Sequence, residues 1–325
     1  MASAPTGPHT PTGPHTFDEF SFLPEQAEEL GGAFTVPAGE RLTLTLADGR
    51  TLSALRYGTE SPVVTFLHGA GLNAHTWDTT IVALGLPALA IDLPGHGDSS
   101  WRNDIDYSPR TLAPDVAAGI RAWTDAPQLV VGQSLGGLTA GSLAASAPEL
   151  VRGAVVVDIT PGIDTSAGPS QLREFFAGPT DWATRDELVE RALSFGLGGS
   201  PRAAERGVFF NSRVRADGRV EWKHHFAHLA AAALAPATGD AGVAGPAAPP
   251  TVGPSGWDDL ARTVAPITLI RGDRGYVSEA DAEEFSRRVP SADIVTVPAG
   301  HNVQEYAPVE LAALVRDAYE ASGNA

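Results

Sequence analysis

The chain has 325 residues, 43% of them hydrophobic and 19% charged, with 22 basic against 39 acidic side chains and a formal net charge of −17. It has no cysteine and one lysine, Lys223, which excludes disulfides, thiolate nucleophiles and Cys-ligated zinc or iron–sulfur sites and leaves one candidate for Schiff-base chemistry. The acidic balance argues against a nucleic-acid partner, and no apolar run approaches the ~18 residues of a membrane helix.

Residues 5–10 and 11–16 repeat the hexapeptide Pro-Thr-Gly-Pro-His-Thr, and residues 1–30 are expected to form a disordered tail. The first 16 residues lack Lys, Arg and an apolar core, so they do not read as a secretory signal, and a cytoplasmic location is expected. Arg41–Ala47 alternates as a strand does, and Asp48-Gly49 supplies a tight turn into a second strand, Thr51–Tyr57. Four apolar runs follow: Val63–Leu67, Ala88–Ile91, Leu129–Val131 and Ala154–Val157. Helical stretches intervene, one ending near Thr124 and another spanning Leu135–Ala147. Apolar strands without alternation are covered on both faces, and the strand–helix rhythm implies an α/β fold with a mostly parallel sheet.

That rhythm breaks after Pro161. Helical patterns at Gln171–Phe176, Asp186–Phe195 and Phe226–Leu234 lead to a Gly/Pro/Ala-rich stretch, Ala235–Gly256, read as a flexible loop. Strands resume at Ile267–Ile270 and Ile294–Val297, with helices at Glu279–Arg288 and Val309–Ala321. The expected plan is a core of residues 31–161 and 258–325, split by a helical cap, 162–257. Residues 160–257 carry 9 basic and 10 acidic side chains, and the rest of the chain 13 and 29. Nine of the 23 aromatic residues lie in the same segment, among them Phe175, Phe176, Trp182, Phe209, Phe210 and Trp222. A nearly neutral, aromatic cap over an acidic core suits an apolar ligand pocket, with most of these rings forming the cap's own core.

The sequence Gly132-Gln133-Ser134-Leu135-Gly136-Gly137 stands between a strand and a helix. Gly-x-Ser-x-Gly at such a junction is a nucleophile elbow, a turn tight enough to need small residues on both sides of Ser134. The turn lifts the hydroxyl to a helix N-terminus, where developing negative charge is stabilised.

With three further motifs the chain resembles the α/β-hydrolase family. Leu67-His68-Gly69-Ala70-Gly71 resembles the family's oxyanion loop, and Asp92-Leu93-Pro94-Gly95-His96-Gly97-Asp98-Ser99 resembles the segment after the next strand. Ala299-Gly300-His301 resembles the loop of the catalytic histidine. The resemblance implies an α/β-hydrolase fold with Ser134 as nucleophile, His301 as base, and the backbone N–H groups of Ala70 and Leu135 as the oxyanion hole. The acid departs from the pattern, because Gly275 stands where the family usually carries it. Asp158, after an earlier strand, is the preferred acid, and Asp273, between Arg271 and Arg274, is the alternative.

His75, Trp77 and Gln133 are placed as substrate contacts, and His68 and His96 as residues that order loops at the site's mouth. His224 and His228 are spaced one helical turn apart, but they lack the Glu of His-Glu-x-x-His, and no metal or other cofactor is expected. The reading is a cofactor-independent serine hydrolase acting on a small or medium ester, lactone or related acyl substrate through an acyl-enzyme. The alternatives are a C–C bond hydrolase of a β-diketone-type substrate and a non-catalytic ligand receptor on the same fold. A small molecule is the expected partner.

Overall fold

The computed structural model describes residues 18–163, 174–175, 178–195, 198, 200–234 and 253–323. The alternating segment forms β1 (Gly39–Thr45), which pairs antiparallel with β2 (Thr51–Tyr57). The apolar runs become β3 (Val64–Leu67), β4 (Ala88–Asp92), β5 (Gln128–Gln133) and β6 (Val151–Val157). Three short strands follow in the insertion, β7 (Asp181–Trp182), β8 (Ser212–Val214) and β9 (Val220–Trp222), before β10 (Ile267–Arg274) and β11 (Asp293–Gly300). Eight strands make one sheet in the order β1-β2-β4-β3-β5-β6-β10-β11, parallel from β4 through β11. This is the mostly parallel α/β architecture expected from the sequence, with an inserted helical region.

Among the described residues the helices are α1 (Leu23–Glu29), α2 (Asp78–Leu84), α3 (Pro109–Trp123), α4 (Leu135–Ser146), α5 (Arg185–Ser194), α6 (Pro201–Asn211), α7 (His225–Leu234), α8 (Ser255–Arg262), α9 (Glu279–Arg288), α10 (Val303–Tyr306) and α11 (Pro308–Ala321). Successive strand residues point to opposite faces. Leu129, Val131, Val155 and Val157 therefore meet α1, α2 and α11 on one side. Val130 packs against α3 and α4 on the other, and Ala154 and Val156 against α8 and α9. Burial on both faces is why these strands read as continuous apolar runs. No helix among the described residues is long and apolar enough to cross a membrane.

Order begins earlier than the expected tail boundary at residue 30. Asp18 accepts from Phe20 N–H to open a single 3-10 turn, and α1 follows with Leu23 and Ala27 buried in the core. Glu25 and Glu29 pair with Arg202 and Arg206 of α6 at 2.6 Å each, and Phe22 packs edge-on against Phe209 and Phe210. Residues 18–30 thus strap the insertion to the core. The hexapeptide repeat lies outside the described residues, as does most of Ala235–Gly256.

The insertion is not helical throughout. β7, β9 and β8 form a small antiparallel sheet, which packs with α5 and α6 around Phe175, Trp182, Leu188, Val208 and Trp222. The expected boundary at residue 257 also cuts α8. Trp257 and Leu260 of that helix pack with Leu138, Val156 and Phe285, so α8 belongs to the core.

A partly buried ion network anchors the strap. Glu19 pairs with Arg41 at 2.5 Å and His75 at 3.2 Å, and Arg41 reaches Asp92 at 3.0 Å. Burial alone would raise the Glu19 carboxyl, but hydrogen bonds from His75 and Arg41 outweigh it and hold the pKa at about 2 against an ordinary 4.5. A depressed folded-state pKa contributes stability above 4.5 that is lost as pH falls toward 2. Glu19→Gln should therefore lower Tm at pH 7, and thermal melts should show the gap from wild type closing between pH 4.5 and 2. A constant gap across that range would count against the ion pair as the cause.

Candidate active site

Ser134 follows β5 and caps α4 with φ +53° and ψ −119°, one of three non-glycine residues at positive φ among the described residues. Holding a side-chain-bearing residue there costs about 1–3 kcal/mol and needs surroundings that over-determine it. Ser134 N–H donates to Val157 O at 3.0 Å, and Leu138 N–H donates to Ser134 O at 3.1 Å. A Cβ on Gly132 would strike the Gly136 backbone, and one on Gly136 would strike the Leu67 carbonyl. The spacing of the two glycines is thus set by strand-to-helix contact. Leu135 is the first residue of α4, so its N–H has no carbonyl within the helix and sits at the positive end of the dipole.

The geometry separates the two candidate acids. Asp158 follows β6, is fully buried, and accepts from His301 Nδ1 at 2.8 Å. It also accepts from Gly272 N–H at 3.0 Å and Tyr276 N–H at 2.6 Å. A Cβ on Gly275 would collide with the Asp158 carboxylate, which explains glycine at that position: this carboxylate arrives from β6 and fills the space. Asp273 is exposed and lies 3.5 Å from Arg274. The His301 ring, 17% exposed, stacks on Tyr276 with centroids 3.6 Å apart and planes at 12°. Sequence reasoning missed Tyr276, although its place beside Gly275 was a signal.

Because a carboxylate only accepts, the His301 proton lies on Nδ1 and Nε2 carries the lone pair. That nitrogen faces Gln133 Nε2 at 2.9 Å, and no hydrogen bond joins it to Ser134 Oγ.

The oxyanion-loop candidate is fixed from beneath. Leu93 N–H donates to His68 Nε2 at 3.0 Å, so His68 Nδ1–H donates to Gly69 O at 2.8 Å. Complete burial pushes His68 down to about 4 and His96 to about 3, so both are neutral at pH 7. Ala70 lies in the turn closed by Leu72 N–H to Gly69 O at 3.2 Å, and Asn211 of α6 donates to Gly71 O at 2.5 Å. The insertion therefore touches this loop directly.

The three residues expected as substrate contacts are all buried. His75 is buried, with Nδ1 3.0 Å from Asp78 and Nε2 3.2 Å from Glu19, and it stacks on Phe210 at 3.7 Å. Both ring nitrogens are occupied by carboxylates, which leaves neither for substrate. Trp77 is fully buried against Phe66 with centroids 5.0 Å apart. Gln133 is also buried, its amide turned to His301. His224 packs between Trp222 and His96, and no group of three metal-ligating side chains converges among the described residues.

Residues 66–314 match the family described as "Alpha/beta hydrolase family". The chain is 37% identical over 308 residues to Esterase Rv0045c of Mycobacterium tuberculosis, covering 92% of this chain and 95% of that protein. It is 26% identical to 2-(acetamidomethylene)succinate hydrolase of Mesorhizobium japonicum, over 80% of this chain and 88% of that one. A solved structure of the M. tuberculosis esterase superposes with a TM-score of 0.76 at 35% identity, over 94% of this chain and 99% of that one. The chain belongs to the alpha/beta hydrolase family, as an enzyme of the esterase type.

Proposed function

We propose that the protein is a serine esterase in which Ser134, His301 and Asp158 act as a triad on a small or medium ester. The observation that carries this reading is the 2.8 Å His301–Asp158 contact beside the Ser134 elbow. Ser134 Oγ attacks the ester carbonyl while His301 Nε2 takes its proton, and buried Asp158 holds the imidazolium that results. The tetrahedral oxyanion forms toward the N–H groups of Leu135 and Ala70. Collapse breaks the bond to the alcohol, which leaves with the proton from His301, and water then hydrolyses the acyl-enzyme by the same route. The esterase reading is preferred to C–C bond hydrolysis on the name of the 37%-identical relative.

A small fluorophosphonate tests the reading. One phosphonyl group per chain, mapped by peptide mass spectrometry to Ser134, is expected. No adduct, as for a non-catalytic receptor, or an adduct on another residue would overturn it.

A further inference from the structure

Gln133 ends β5 and is 1% exposed. Its Nε2 lies 2.9 Å from His301 Nε2, 3.3 Å from the His301 carbonyl oxygen and 3.4 Å from Asn302 Oδ1. Its Oε1 is buried without a hydrogen-bond partner, in the space that a Cβ on Gly69 would occupy. The surroundings fix the orientation of this amide, because the reverse orientation would aim a carbonyl at two other oxygens and a lone pair. One Gln133 N–H therefore fills the His301 Nε2 lone pair. Imidazole has one such lone pair, and it is the one that must receive the Ser134 proton.

We propose that Gln133 is a positioning residue that caps the His301 base in the empty site and releases it when an ester seats, so that Ser134 is activated only in the substrate complex. This inference rests on the serine-esterase reading above. Release leaves the amide satisfied, since the His301 carbonyl and Asn302 Oδ1 remain within reach of its two N–H groups. The trigger is geometric. A Cβ on Gly69 would lie 2.1 Å from Oε1 and 3.3 Å from Ser134 Cβ, so the amide oxygen sits close to both the nucleophile and the oxyanion loop. A substrate carbonyl oxygen drawn toward the Ala70 and Leu135 N–H groups meets this second carbonyl dipole, and the repulsion turns the amide away.

Two variants test the cap. Gln133→Met keeps the length and removes the donor. Its second-order inactivation by a small fluorophosphonate should be about fivefold faster than wild type, the fold-change of one net hydrogen bond. A residue that merely filled space or oriented substrate would give an unchanged or slower rate, and that result would overturn the proposal. Gln133→Glu sets a carboxylate against Nε2, which favours the imidazolium, so the acid limb of kcat/KM on p-nitrophenyl acetate should move up by about one pH unit or more. An unmoved limb would equally overturn it, and this variant carries the test if circular dichroism shows that Gln133→Met does not fold. Failure of the wild type to label at Ser134 sinks the esterase reading and the cap together. Labelling at Ser134 that is indifferent to residue 133 sinks the cap alone.

Discussion

Ser134→Ala should reduce turnover of p-nitrophenyl acetate by about a millionfold while leaving the fold intact. On the proposed mechanism the substitution removes the oxygen that bonds the acyl carbon and nothing else. Alanine keeps the Cβ, so the backbone cost at φ +53° is unchanged, and the Ser134 N–H bond to Val157 O and the Leu138 bond to Ser134 O involve only main chain. Tm should therefore stay within about 0.5 kcal/mol of wild type when converted to stability. Residual catalysis of roughly 10³–10⁴ over water is expected from the oxyanion donors alone. Retention of a substantial fraction of wild-type kcat would remove Ser134 from the chemistry.

Asp158→Asn should lower kcat by about 10⁴-fold, because the imidazole loses the acceptor that fixes its tautomer and steadies its charge. The structure adds a second cost. Three donors converge on the two carboxylate oxygens, namely Gly272 N–H, Tyr276 N–H and His301 Nδ1–H. An amide offers one oxygen, so at least one buried N–H faces an NH₂ group, at about 1–3 kcal/mol. A lower Tm should accompany the loss of rate. Asp273→Asn removes only an exposed pair with Arg274 and should leave both quantities near wild type. The opposite ranking of the two variants would return the acid to the β10 loop.

Legibility in the sequence followed the range of the forces involved. The elbow could be read because its constraints are local: Gly132 and Gly136 touch backbone a few residues away or on the adjoining strand. The core strands could be read because burial on both faces leaves an apolar run. Other features depend on distant partners. The seven residues of α1 are too few to show a period, and their burial depends on contacts with α2 and α6, which residue spacing does not record. Strands of two or three residues, such as Asp181–Trp182 and Val220–Trp222, are too short to alternate visibly. The surroundings of His75 were illegible for the same reason, since one of its partners is Glu19, 56 residues earlier.

The order of the strands has a consequence for biosynthesis. Ser134 and Asp158 leave the ribosome close together, on either side of one helix, whereas His301 follows β11, the edge strand at the far end of the sheet. On the proposed triad, a nascent chain carries nucleophile and acid through 143 further residues of synthesis before its base is added. On that reading, esterase competence requires β11 to pair with β10, which brings the imidazole over Tyr276.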